Sequence, residues 1–173
     1  MRVFISVDFP DEVKEKIKKI QAELPEFTGK KTEFENLHLT LKFLGEISEE
    51  QAEKVKEKLK EIKLKKREAE IDDLGVFSES FVRIIWLHSS GLEELQKEID
   101  GKLSDFFGKE RRFMGHITIA RVKNIKNKEK FLAEFRKIKI KPIKFEADKF
   151  KLKKSILTAE KPVYEDIGEY KLE

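Results

Sequence analysis

Only three of the 173 residues are histidine, and two of them open the same short pattern, His38-Leu39-Thr40-Leu41 and His116-Ile117-Thr118-Ile119. On a strand, residues two apart share a face. Each pattern therefore presents an imidazole and a hydroxyl together, while Leu or Ile turns the other way into a core. The chain has five threonines in all, so a threonine two places after two of three histidines is far from a chance arrangement. An imidazole titrates near pH 6.5, so one ring can accept a proton while the other is charged and donates. Two threonine hydroxyls add hydrogen-bond donors for the non-bridging oxygens of a phosphate held between the rings. Displacement at phosphorus needs a base on the attacking side and an acid on the leaving side. Hydrolysis of a phosphodiester is the reaction that fits. Metal ligation is the competing use of histidine. Neither pattern has a second His, Asp or Glu at chelating spacing, and Thr stands where a carboxylate ligand belongs, so no metal and no cofactor is expected. The structural alternative is a pair of half-buried histidines beside strand ends.

The elements that carry these patterns follow from periodicity. Residues 2–8 alternate as a strand, and Val13, Ile17, Ile20 and Leu24 then fall at helical spacing before Pro25 stops the helix. Residues 37–44 alternate as a strand ending at Gly45, and Ser48 with Gln51 forms a capping box for a helix bearing Ala52, Val55, Leu59 and Ile62. Strands are predicted over 67–77 and 81–88, a third helix over Leu92–Phe106, and a strand over 114–122. Asn127 caps a fourth helix with Phe131, Leu132, Phe135 and Ile138, and two strands, 141–157 and 163–172, finish the chain.

These elements recur. The strand at 2–8 matches 81–88, the helix at 11–24 matches that near 92, and the strand at 67–77 matches one near 145–155. His38 and His116 lie 78 positions apart, and the caps Ser48 and Asn127 lie 79 apart. That period is too long for a solenoid repeat. The expected fold is α+β, two similar βαβαβ lobes (roughly 1–78 and 79–173) packed around a central cleft. No Gly/Ser or Pro-rich linker divides them, which favours a single bilobal domain.

Composition narrows the function classes. There is no cysteine, which excludes disulfides, zinc fingers and iron–sulfur clusters. A net charge of +4 from 38 basic and 34 acidic residues neither demands a nucleic-acid partner nor allows an acidic tail protein. No apolar run reaches membrane-span length, and the start MRVFISVDFP lacks the basic region of a signal peptide, so a soluble cytoplasmic protein without membrane contacts is expected. The abundance of Lys and Glu, with no Cys and only 2 Met, matches proteins from hot environments.

NLHLTLKFLGEI and GHITIARV resemble the two signature motifs of the two-histidine phosphoesterases, and more narrowly those of the RNA 2′,3′-cyclic phosphodiesterases, also called 2′-5′ RNA ligases. MRVFISVDFP, FLGEI and RIIWL resemble that branch too, so the likeness spans the chain. The resemblance implies hydrolysis of RNA 2′,3′-cyclic phosphate ends to 2′-phosphomonoesters, reversible 2′-5′ joining of tRNA halves, and a role in tRNA processing. It also implies that His38 is the proton donor and His116 the acceptor, with Thr40 and Thr118 beside them. The family pattern usually has Pro before the second histidine, where this chain has Gly115. The partner expected is RNA with cyclic phosphate ends, met by a monomer.

Three cations are candidate substrate contacts. Lys42 shares the strand parity of His38 and Thr40, which points it at the cleft. Arg121 has the opposite parity to His116 and reaches the cleft only through a twist or bulge. Arg112, with Arg111 and Phe113, forms a basic-aromatic cluster suited to an RNA backbone. His88 ends an apolar strand without a following Thr and is read as structural, and Trp86 as core. The rival from another class is a non-catalytic RNA-binding module, which has no need of two matched acid–base groups. A physiological 2′-5′ RNA ligase is the rival among enzymes.

Overall fold

The helices begin and end where local chemistry dictates. In the computed structural model, which describes residues 1–173, strand β1 (Arg2–Asp8) leads into α1 (Asp11–Ala22), whose buried stripe is Val13, Ile17 and Ile20. A short strand β2 (Thr28–Lys31) and a 3-10 turn (Phe34–Asn36) precede β3 (His38–Glu46). The Ser48–Gln51 capping box opens α2 (Glu49–Lys60), with both reciprocal hydrogen bonds formed. Then come β4 (Arg67–Val76), β5 (Ile84–Ser90), α3 (Glu93–Lys102) and β6 (His116–Asn124). Asn127 caps α4 (Lys128–Lys137), and β7 (Ile143–Ala147), β8 (Lys149–Leu157) and β9 (Pro162–Lys171) complete the chain. No helix is long and apolar enough to cross a membrane.

The duplicated βαβαβ order is present, yet the halves are not self-contained. The strands form two antiparallel sheets, β3-β1-β8-β9 and β2-β6-β5-β4-β7. Strand β4 of the first half pairs with β5 and β7, while β8 of the second half pairs with β1. The expected division at 78/79 therefore cuts through both sheets. Helices cross as well: α1 lies against β6 and β7, and α3 against β3. One cluster of 38 buried apolar residues runs through the whole molecule. The single strand expected over 141–157 is two strands because the chain changes sheets at Asp148, leaving β7 beside β4 and starting β8 beside β1. Strand β2 (Thr-Gly-Lys-Lys) has no apolar alternation and is exposed throughout, so only its backbone bonds to β6 define it.

Both histidine strands carry the same irregularity. Ile5 pairs with Lys42 and Ser6 with Thr40, which leaves Leu41 as an extra residue in β3. Ile85 pairs with Ala120 and Trp86 with Thr118, which leaves Ile119 as an extra residue in β6. Each is a β-bulge, and past it the alternation of faces is reversed. The two strands accordingly show an identical burial pattern, with two consecutive inward residues, Leu41-Lys42 and Ile119-Ala120.

Lys42 is thus turned away from the cleft, contrary to the expectation from strand parity. Its ammonium lies 2.5 Å from Asp100 of α3 and donates to the Gly108 carbonyl at 2.7 Å. Asp100 also accepts from Gln96 Nε2 at 3.0 Å and from the Glu110 backbone N–H at 2.8 Å. Burial acts to raise the Asp100 carboxyl, but these donors, Lys42 foremost, hold it below its ordinary value. The pair ties the first histidine strand to the segment leading into the second. Breaking a buried pair on one side leaves a charge uncompensated, so Asp100→Ala is expected to lower unfolding stability by about 3–5 kcal/mol. The paired change Lys42→Met with Asp100→Leu is expected to cost far less. Urea unfolding of the three proteins makes the comparison, and equal losses would show that the pair is not coupled.

Candidate active site

Strands β3 and β6 run beside one another and bring the two patterns to one cleft of about 600 Å³. His38, Thr40, His116 and Thr118 all line it. Both rings are oriented by their own strands. His38 Nδ1 donates to the Asn36 carbonyl at 2.7 Å, and His116 Nδ1 donates to the Met114 carbonyl at 2.9 Å. A carbonyl only accepts, so Nδ1 carries the proton in each ring and Nε2 is the atom free for chemistry. The Thr40 hydroxyl is 3.1 Å from His38 Nε2 and donates to it while the ring is neutral.

The surroundings of the two rings differ. His38 packs between Phe4 and Tyr164, with ring centroids 5.1 and 5.2 Å away. That enclosure penalises the charged ring, and burial lowers the imidazole to about 4. The Asn36 carbonyl and Asp8 favour the charged form, whereas Lys153 and His116 oppose it. Asp8, directly across the ladder from His38, is itself matched by Lys153 at 2.7 Å and Lys151 at 3.1 Å. His116 is covered on one side by the edge of Phe77 at 5.3 Å, a residue that is itself 58% exposed.

Other expected contacts separate. Past its bulge, β6 turns Arg121 outward to line the cleft. Arg112 stays exposed on the connection before β6 and is not part of the cleft wall, so the basic-aromatic cluster does not join this site. His88 bonds to Asp72 at 2.5 Å on the open face of the five-stranded sheet. No group of three or more His, Cys, Asp or Glu side chains converges in a metal-binding arrangement.

The LigT-like phosphoesterase model matches the chain twice, over residues 7–86 and 87–164. The chain belongs to this family. A relative from Methanocaldococcus jannaschii, named RNA 2′,3′-cyclic phosphodiesterase, is 42% identical over 176 residues, covering 98% of this chain and 100% of its own. One of the same name from Archaeoglobus fulgidus is 35% identical over 96% of this chain and 98% of its own. Among solved structures, Escherichia coli LigT complexed with 3′-AMP superposes with a TM-score of 0.80 at 26% identity, covering 99% of this chain and 97% of that one.

Within this LigT-like site, several wall residues escape strand-by-strand reading. Phe43 is outward and 71% exposed because the β3 bulge reverses its parity. Tyr164 arrives from β9, more than a hundred residues after the first histidine pattern, by the sheet exchange. Lys30 comes from the apolar-poor strand β2. Of these only Phe43 had a local signal, an exposed aromatic after the first histidine pattern.

The depressed His38 ring makes stability depend on pH. In the unfolded chain the ring takes up a proton near pH 6.5, in the folded chain only near 4, so folding binds fewer protons between these values. The contribution is complete above about pH 6.5 and is lost as pH falls toward 4, by at most about 3 kcal/mol. Thermal unfolding at pH 7 and pH 4.5 should show a smaller acid loss for His38→Gln than for the unaltered protein. Equal losses would mean that the ring is not desolvated.

Proposed function

We propose that the protein hydrolyses RNA 2′,3′-cyclic phosphate ends to 2′-phosphomonoesters by acid–base catalysis without a metal. The observation that carries the reading is the pair of Nδ1-anchored imidazoles lining one cleft, with the Thr40 hydroxyl 3.1 Å from His38 Nε2 and Thr118 on the same wall as His116. A passive RNA binder has no use for that arrangement. His116 Nε2, neutral, takes a proton from water as its oxygen attacks phosphorus. The bond from phosphorus to the 3′ oxygen breaks, and His38 Nε2 delivers a proton to that oxygen, leaving a 3′ hydroxyl and a 2′ phosphate. Thr40 and Thr118 donate to the non-bridging oxygens as charge builds there, and Arg121 adds positive charge to the cleft.

The low value of His38 fits this division of labour in one respect. In the empty cleft near neutral pH the ring is uncharged. An anionic phosphate favours the charged ring, so His38 acquires its proton as substrate arrives. Attack by a 5′ hydroxyl in place of water produces a 2′-5′ linkage, and joining of tRNA halves by that route belongs to the proposal. So does action as a monomer in the cytoplasm.

His38→Ala and His116→Ala are each expected to lower kcat on an oligoribonucleotide 2′,3′-cyclic phosphate by about 10²–10⁴, the usual worth of one general acid or base. Thr40→Ala and Thr118→Ala should lower it by about 10–1000-fold. Full activity in a folded His38→Ala protein would overturn the mechanism. Activity is also expected to survive dialysis against excess EDTA. Loss on chelation with recovery on adding a divalent ion would place the electrophile on a metal instead.

A further inference from the structure

We propose that Lys30 and Arg121 hold the phosphodiester preceding the terminal nucleoside, so that oligoribonucleotide ends are preferred to cyclic mononucleotides. The assignment rests on the cyclic-phosphate reading above and names a second phosphate site within the same cleft.

Lys30 of β2 stands directly opposite Arg121 of β6 in the antiparallel ladder. Like charges in opposed positions destabilise a sheet. Here neither cation has a carboxylate within ion-pair distance. Elsewhere on the cleft wall, Lys161 is matched by Glu35, and Arg2 stands across its ladder from Glu46. The Lys30 ammonium donates only to the Glu160 backbone carbonyl, a neutral acceptor that leaves its charge unanswered and other protons free.

The close approach of the two strands that carry these cations is built into the backbone. A Cβ at Gly29 would sit 2.2 Å from the Arg121 carbonyl oxygen, so β2 closes on β6 only because residue 29 has no side chain. The other end of β2 is pinned to the second histidine pattern. Thr32 N–H donates to the Ile119 carbonyl at 2.9 Å, and the Thr32 hydroxyl donates to the Thr118 carbonyl at 2.8 Å. Buried Gln21 then clamps the joint, its amide donating to the carbonyls of Thr32 at 3.0 Å and Ile119 at 2.9 Å.

Arg121 lies three residues beyond Thr118, on the far side of the bulge at Ile119. The cation pair thus sits past the phosphate held between the rings, toward the end of β6. An Arg fork beside a Lys point charge is suited to a phosphodiester. At the equivalent place after the β3 bulge the cleft has Phe43 instead. Charge at one end and an exposed aromatic ring at the other give the cleft a polarity that its duplicated histidine patterns lack.

The test compares adenosine 2′,3′-cyclic phosphate with adenylyl-(3′→5′)-adenosine 2′,3′-cyclic phosphate, and with the same dinucleotide carrying a neutral methylphosphonate between its nucleosides. For the unaltered protein, kcat/KM for the charged dinucleotide should exceed that for the other two by on the order of tenfold. Lys30→Ala should collapse this ratio, chiefly through KM, and Lys30→Arg should keep it. A parallel measurement is binding of adenylyl-adenosine 2′-monophosphate across a salt series, where Lys30→Ala should reduce the salt slope by about 1. A ratio unchanged by Lys30→Ala, or a methylphosphonate substrate as good as the charged one, overturns the assignment. If no cyclic phosphate is turned over, the hydrolase reading fails and the salt series alone decides the second phosphate site: an unchanged slope refutes it, and a reduced slope upholds it.

Discussion

A strand shows alternate residues to alternate faces, and the whole site depends on where that rule is kept and where it is broken. It is kept from His38 to Thr40 and from His116 to Thr118, which sets imidazole and hydroxyl side by side. It is broken just after each histidine pattern, by Leu41 and Ile119, and the break sends the next residue inward and the one after it outward. Lys42 goes to a buried partner in α3, while Arg121 goes to the cleft. An extra residue, repeated at the same place in both halves, separates the cation buried against α3 from the cation that lines the cleft.

The two rings share an anchoring geometry but not an environment. Each Nδ1 is engaged by a carbonyl two residues upstream, which fixes the tautomer without any carboxylate behind the ring. What distinguishes them is enclosure, since Phe4 and Tyr164 flank His38 whereas the ring covering His116 is itself largely solvated. A ring enclosed in this way gains its proton more readily beside an anion than beside a neutral molecule in the cleft.

The duplicated order of elements and the four residues at the centre of the site were legible in the sequence because they depend on local rules. Periodicity, the Ser48 and Asn127 caps and the repeated His-x-Thr spacing all act over a few residues. What was illegible is long-range. The exchange of β4 and β8 between sheets has no local signature, because a strand's own pattern does not say which neighbour it finds. Lys42 departs from strand parity for a related reason: the bulge before it is specified by the pairing with β1, not by the strand itself. Strand β2 is silent in the sequence because four exposed residues bury nothing and leave no hydrophobic trace.

The exchange of strands also bears on how the chain acquires its shape during synthesis. Strands β1 and β3 emerge early, but the edge of β1 that β8 will occupy stays open until residues beyond 149 have been made. The N-terminal half therefore leaves the ribosome as an unfinished sheet with an unpaired edge, a form prone to wrong association. Closing it requires contact between segments about 150 residues apart, which slows folding.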